Sequence, residues 1–197
     1  MSRLQLSVLI PAAGGSRRLG QPKQLLRFGS GTLIENAIAN ASSCAPAEII
    51  VITGAHAEEV RAVAHDAPVR WVHNPQWPDG LGSSIAIGAD NLSSDASGVL
   101  IMLCDQWRIE TPDLQALISA WHADPDSIIA TQAGGRYMPP VIFPSGLFDQ
   151  LKTLKGDRGA RSLLKSHPSW VTAIPLENAG FDLDSQDHLD LLKIYSL

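Results

Sequence analysis

Short apolar runs alternate with amphipathic segments along the chain. Residues 6–10 are apolar except for Ser7, which predicts a buried strand. Residues 48–53, 69–72 and 99–103 repeat the pattern, and 127–131, 141–143 and 170–174 predict later strands. The segments between them read as helices. Thr32 and Glu35 form a capping box that opens a helix to about Cys44. Further helices are predicted over 56–64, over 83–91 with Ile85, Ile87 and Ala89 apolar, near 146–154 and over 160–165. Thr111 and Pro112 supply an N-cap and an N1 proline for a helix to about His122, and Ser185 caps a last one through Lys193.

This alternation predicts an α/β fold: a single-domain, three-layer, Rossmann-like, mostly parallel sheet with helices on both faces, spanning 1–197. In such sheets ligands bind beyond the carboxyl ends of the strands. The loops after Ile10, Thr53, Val72 and Leu103 are therefore the place to look for chemistry.

Composition narrows the picture. The length of 197 residues suits one domain, and 45% hydrophobic against 18% charged residues excludes a disordered or collagen-like chain. A net charge of −5 argues against sequence-independent binding of nucleic acid. Cys44 and Cys104 make neither a disulfide framework nor a metal cluster and read as small buried hydrophobes. No apolar run approaches the ~18 residues of a membrane helix, and the run at 6–13 does not resemble a signal peptide, so a cytoplasmic protein is expected. The six histidines show no metal-ligand spacing.

The first loop carries the strongest signal. It reads Pro11-Ala12-Ala13-Gly14-Gly15-Ser16-Arg17-Arg18-Leu19-Gly20-Gln21-Pro22-Lys23. Glycines let backbone amides approach a ligand, and Arg17, Arg18 and Lys23 add charge-assisted donors, which suits a triphosphate. It is not a Walker loop, because Lys23 does not directly follow Gly20 and no Ser or Thr follows it, and the dinucleotide glycine spacing is absent.

This run resembles the signature of the nucleotidyltransferases that build molybdenum cofactor dinucleotides, Leu-Ala-Ala-Gly-x-Ser-x-Arg-x-Gly-x-x-Lys. It matches at Ala12, Ala13, Gly14, Ser16, Arg18, Gly20 and Lys23 and departs at Pro11. The resemblance implies a nucleotide-diphospho-sugar transferase type of fold and amides of Ala13 to Ser16, Gly15 included, on the nucleotide. It also implies Arg18 and Lys23 on the phosphates. Ala13 in the Ala-Ala-Gly form implies CTP rather than GTP. A second block, Asn74-x-x-Trp77-x-x-Gly80-Leu81-Gly82-Ser83-Ser84-Ile85, resembles the family's loop beside the base. Gly80, Ser83 and Ser84 would there contact the nucleotide; an ordinary helix cap at Ser83 or Ser84 is the competing reading. Trp77 and Trp107 lie in loops bounding the crevice, where either can stack on a ring.

Asp105 closes a hydrophobic strand and would face the crevice. Nucleotidyl transfer uses Mg²⁺ to bridge phosphate oxygens, and Asp105 resembles the family's metal-binding acid. Asp182 and Asp184 fall on one side of an extended segment and resemble its late acidic block, with Asp184 also readable as a helix N-terminal residue. Asp157 and Arg161, in Gly156-Asp157-Arg158-Gly159-Ala160-Arg161, resemble the block on the acceptor side, Asp157 reading at the same time as a helix cap. Two departures stand out. Trp107 replaces the usual proline, and Met138 and Pro139 replace the usual Gly then His or Asn.

The expectation is a Mg²⁺-dependent transferase moving CMP from CTP to the terminal phosphate of a molybdopterin acceptor, releasing pyrophosphate. A molybdoenzyme or its chaperone would be the recipient, with neither nucleic acid nor membrane as partner. Arg18, Lys23 and Asp105 would carry catalysis. Two alternatives stay open: another nucleotide or phosphorylated acceptor such as a sugar or alditol phosphate, and a non-catalytic cofactor-binding or delivery protein. Residues 1–34 hold Arg3, Arg17, Arg18, Lys23 and Arg27 with no acid, while 166–192 hold Glu177, Asp182, Asp184, Asp187 and Asp190 with no Lys or Arg. The net acidity thus hides a cationic loop and an acidic tail.

Overall fold

A computed structural model describes residues 4–157 and 159–183. In chain order the elements are β1 (Leu6–Pro11), β2 (Arg27–Phe28), β3 (Gly31–Thr32), α1 (Leu33–Ser42), β4 (Glu48–Thr53), α2 (Ala57–Val63), β5 (Arg70–His73) and α3 (Leu81–Asp90). Then follow β6 (Gly98–Ile101), α4 (Thr111–Ala123), β7 (Ile128–Ala133), β8 (Arg136–Pro144), α5 (Phe148–Lys152), α6 (Arg161–Ser166) and β9 (Val171–Pro175). The main sheet has seven strands in the order β5-β4-β1-β6-β8-β7-β9. Strands β5, β4, β1 and β6 run parallel, β8 is antiparallel to both its neighbours, and β9 lies parallel to β7.

The period-2 alternation of a strand divides the core into two layers. From β1 and β4, Val8, Ile10, Ile49 and Val51 pack with Ile34 and Ile38 of α1, Val60 of α2 and Leu117 and Trp121 of α4. Leu9, Ile50 and Ile52 point the other way, onto Ile85 and Ala89 of α3, Leu151 of α5 and Leu163 and Leu164 of α6. A third, smaller core gathers Leu19, Leu33 and Leu183 and ties the glycine-rich loop to the tail.

Several local expectations hold, including the capping box: the Thr32 hydroxyl accepts from Glu35 N–H, and the Glu35 carboxylate accepts from Thr32 N–H. Others shift. Helix α3 starts at Leu81 with Gly80 as N-cap, so neither Ser83 nor Ser84 caps it. Glu110, not Thr111, precedes α4 and shares a capping box with Asp113, which moves Pro112 to the second helical position. Strand β8 is three times the expected length, beginning at Arg136 after a Gly134-Gly135 turn. Its ladder with β7 shifts register at Ala130 and Thr131, opposite the two prolines that lack an N–H to donate. The helix expected from Ser185 to Lys193 lies outside the described residues.

Candidate active site

The site is built on the loop that leaves β1. Ala12 and Ala13 are buried where the chain continues beside β4. Ala12 N–H donates to Ile52 O at 2.8 Å, and Ala13 O accepts from Ala55 N–H at 3.0 Å. Gln24, 1% exposed, lies beneath the loop. Its Nε2 donates to Ala12 O and to Gly14 O, both at 2.9 Å. Ser16 adopts a left-handed φ of 49°, and its hydroxyl accepts from Lys23 N–H at 3.0 Å. Three consecutive carbonyls, from Ala12 to Gly14, are thus bound on the protein side, and the segment Ala13 to Leu19 lines an open cavity of about 570 Å³.

The facing wall comes from the chain after β5. Asn74, 2% exposed, donates from Nδ2 to the hydroxyls of Ser83 and Ser84, each at 3.0 Å, while its Oδ1 accepts from Gln76 N–H. Ser83 in turn donates within the same turn, to Gly80 O at 2.8 Å or Gln76 O at 3.0 Å. Gly80 has φ 96°, and a Cβ there would collide with Asp157. Trp77 reaches across to Gly15, with the Arg17 guanidinium 5.9 Å from its ring centroid.

Acids form the floor. After β6 the chain turns at the carboxyl end of the sheet and buries Asp105 to 5% exposure. Its Oδ2 pairs with the Lys23 ammonium. Its Oδ1 is buried and has no hydrogen-bond partner among the described residues. Asp182 lines the same cavity. Its neighbour Leu183 is held by Leu183 N–H to Asp105 O at 3.2 Å. Burial, and then the charge of Asp105, pushes the Cys104 thiol up to about 12, so it stays protonated and unreactive near neutrality. Cys44 is half-buried and its thiol is also pushed up by burial.

The cavity therefore collects Ala13, Gly14, Gly15, Ser16, Arg18, Lys23, Gly80, Ser84, Asp105, Asp157 and Asp182 of the residues singled out from sequence. It leaves out others. Ala12 is buried behind the wall and Ser83 is spent on the turn. Arg161 is the exposed first residue of α6 and does not line the cavity. Asp157 does not cap α6, whose N-cap is Ala160, because it lies against Gly80 instead. Trp77 lines the cavity, whereas Trp107 packs edge-on against Phe28, ring centroids 5.2 Å apart. Asp184 is outside the described residues. Sequence reasoning missed Gln24, and it named Asn74 only as part of the second block, not as its brace. The signal for Gln24 was an uncharged amide directly after Lys23, where the chain turns under the loop. Among the described residues no group of three or more His, Cys, Asp or Glu could hold a metal together, so of the three cavity acids Asp105 and Asp182, joined through Leu183, are the pair a cation would meet, while Asp157 lies on the facing wall against Gly80. Nor is any described helix long and apolar enough to cross a membrane.

A concave, cation-rimmed loop facing two carboxylates is suited to a phosphate-bearing ligand, and comparison with known proteins agrees. Residues 8–171 match the family model for the MobA-like NTP transferase domain. The nicotine blue oxidoreductase of Paenarthrobacter nicotinovorans is 31% identical, covering 90% of this chain and 91% of its own. The purine catabolism protein PucB of Bacillus subtilis is 32% identical, covering 92% and 93%. The molybdenum cofactor cytidylyltransferase of Escherichia coli is 33% identical over only 41% of this chain and 42% of its own. Among solved structures, Rv0371c of Mycobacterium tuberculosis superposes with a TM-score of 0.83 at 27% identity, covering 98% of both chains, and Rv0371c has also been solved in complex with manganese.

Proposed function

We propose, for a chain that belongs to the MobA-like NTP transferase domain family, that it is a divalent-metal-dependent nucleotidyltransferase. It moves CMP from CTP to the terminal phosphate of a molybdopterin-type acceptor. The observation that carries this reading is the convergence of Gly14 to Arg18, Lys23 and Asp105 on one cavity at the carboxyl end of the sheet.

In the reaction an acceptor phosphate oxygen bonds to the α-phosphorus as the bond to the β-phosphate oxygen breaks, and pyrophosphate leaves with that electron pair. The nucleophile is already anionic near neutral pH, so the protein needs no dedicated base. Its task is positioning and charge neutralisation. The loop from Ala13 to Ser16 offers backbone amides to the triphosphate, and Gln24 keeps the carbonyls turned away from it. Arg18 and Lys23 supply cationic donors.

The residues present fit a hard divalent cation. Asp105 and Asp182 are oxygen donors on one cavity, and Asp105 Oδ1 has no partner among the described residues. Mg²⁺ and Mn²⁺ take few protein ligands of this kind and fill their remaining positions with water and phosphate oxygens. Asp105 and Asp182 would hold the ion, with Asp184 as a further acid. When bound, the cation offsets charge growing on the leaving pyrophosphate.

A specific observation favours a second acceptor class. Met138 and Pro139 depart from the molybdenum cofactor pattern, and neither relative covering nine-tenths of this chain is named for that cofactor. A phosphorylated sugar or alditol is the alternative. The deciding experiment measures pyrophosphate release with CTP or GTP, Mg²⁺ and a panel of acceptors: molybdopterin, sugar phosphates and alditol phosphates. Release with CTP and molybdopterin alone supports the first reading. Release with a different acceptor replaces the acceptor, and tight cofactor binding without release under every condition replaces catalysis with delivery.

A further inference from the structure

Asp182 sits on a segment with little secondary structure of its own, so something else must fix it at the cavity. The neighbouring residues show what does. Leu183 is fully buried in the small core with Leu19 and Leu33, against Leu26, Phe28 and Trp107. Its N–H donates to Asp105 O at 3.2 Å. On the other side, Phe181 is 39% exposed. Its ring nonetheless lies 3.7 Å from the guanidinium carbon of Arg108, which is itself 4.7 Å from the centroid of Trp107. The order Phe181, Arg108, Trp107, Phe28 is therefore a continuous stack of a cation among aromatic rings, closed by the edge-on Trp107–Phe28 contact.

We propose that Arg108 and Phe181 form a guanidinium–aromatic clamp that positions Asp182 over Asp105, and so sets the affinity of the acidic pair for a divalent cation. The inference rests on the metal-dependent transferase reading above. It adds that reading's positioning residues, neither of which lines the cavity. Arg108 follows Asp105 by three positions on one loop, and Phe181 precedes Asp182 directly. Pairing the two therefore sets the spacing of the two carboxylates. An Arg fits this role better than Lys, because its planar, weakly hydrated guanidinium stacks on a ring face while a compact ammonium does not.

The experiment follows Mn²⁺ binding by electron paramagnetic resonance with CTP present, in wild type and in Arg108→Ala, Arg108→Lys and Phe181→Leu. Amide exchange at Leu183 is measured in parallel. Arg70→Ala, which removes an ion pair at the opposite end of the sheet, serves as the control remote from the cavity. Expected are Mn²⁺ binding about three- to tenfold weaker in Arg108→Ala and Phe181→Leu, faster exchange at Leu183, and less than half the wild-type affinity restored by Arg108→Lys. Arg70→Ala leaves Mn²⁺ affinity at the wild-type value. Unchanged Mn²⁺ affinity in both clamp variants, whatever the exchange at Leu183, with a wild type that binds Mn²⁺, would overturn the clamp alone. A wild type that binds no Mn²⁺ with CTP would overturn the metal-dependent reading instead.

Discussion

Two acids stand at opposite ends of the same sheet, and their surroundings differ in kind. Glu48 opens β4 at the amino end. Its Oε1 accepts from the Ser7 hydroxyl and from Ser93 N–H, each at 2.8 Å, and its Oε2 accepts from Arg70 at 2.8 Å. Asp105 lies beyond the carboxyl end of β6. One of its oxygens pairs with Lys23, and the other is buried with no partner among the described residues. A buried polar group costs stability unless it is satisfied, so a fully bonded acid belongs to architecture and a half-bonded one invites a ligand. The contrast separates the two ends without reference to any motif.

The largest expected effect is at Asp105. Asp105→Ala should cut pyrophosphate release by about 10²-fold or more, the scale for losing one electrostatic stabiliser of the transition state. Its melting temperature should stay close to that of the wild type, because the removed acid is only half-satisfied. Retained activity, or unfolding, would erase the distinction drawn here. Next comes Gln24→Leu, which keeps the volume but strips the brace from Ala12 O and Gly14 O. Activity should fall about tenfold or more through mispositioned amides. Stability should fall by about 1–3 kcal/mol from the unsatisfied carbonyls, readable in a denaturant titration.

The mirror experiment is Glu48→Ala. It should leave kcat and KM unchanged while destabilising by about 1–3 kcal/mol, since Ser7, Ser93 and Arg70 lose a shared acceptor. An activity loss beyond what unfolding explains would mean that the amino end is not passive. The smallest effect is its pH dependence. Burial by itself raises the Glu48 carboxyl, but the Ser93 N–H, the Ser7 hydroxyl and Arg70 together outweigh that and hold it below the ordinary 4.5. A lowered native value means that the unfolded chain binds the proton first. The contribution is therefore complete above 4.5 and is lost as pH falls through the lower native value. The stability gap between wild type and Glu48→Ala should stay level above 4.5 and shrink as pH falls from there through the lower native value.

The two ends also differ in how far the sequence revealed them. The buried strand over 6–10, the capping box at Thr32 and Glu35, the cationic glycine loop and an acid at the crevice in Asp105 were all legible, although β6 ends at Ile101 rather than at 103 and Asp105 follows in a turn. Each depends on residues adjacent in the chain. What escaped depends on contacts between segments. Gln24 reaches the carbonyls of Ala12 and Gly14 only once the loop is folded back, and Asn74 joins two serines only when α3 begins at Leu81. Asp157 read as a helix cap because local spacing allowed it, yet the close passage of Gly80 draws it into the cavity wall. Arg161 was expected near a phosphate, and the structure leaves it on the outer surface. The Glu48 cluster left no mark in the sequence, because Ser7, Arg70 and Ser93 come from separate segments.

The most direct measurement is a crystal structure with CTP and Mg²⁺ bound. The triphosphate should lie along Gly14 to Arg18 with Lys23 beside it, and the cation should sit on the open oxygen of Asp105. A nucleotide bound away from this loop, or a cation that leaves Asp105 uncoordinated, would contradict the assignment of the cavity.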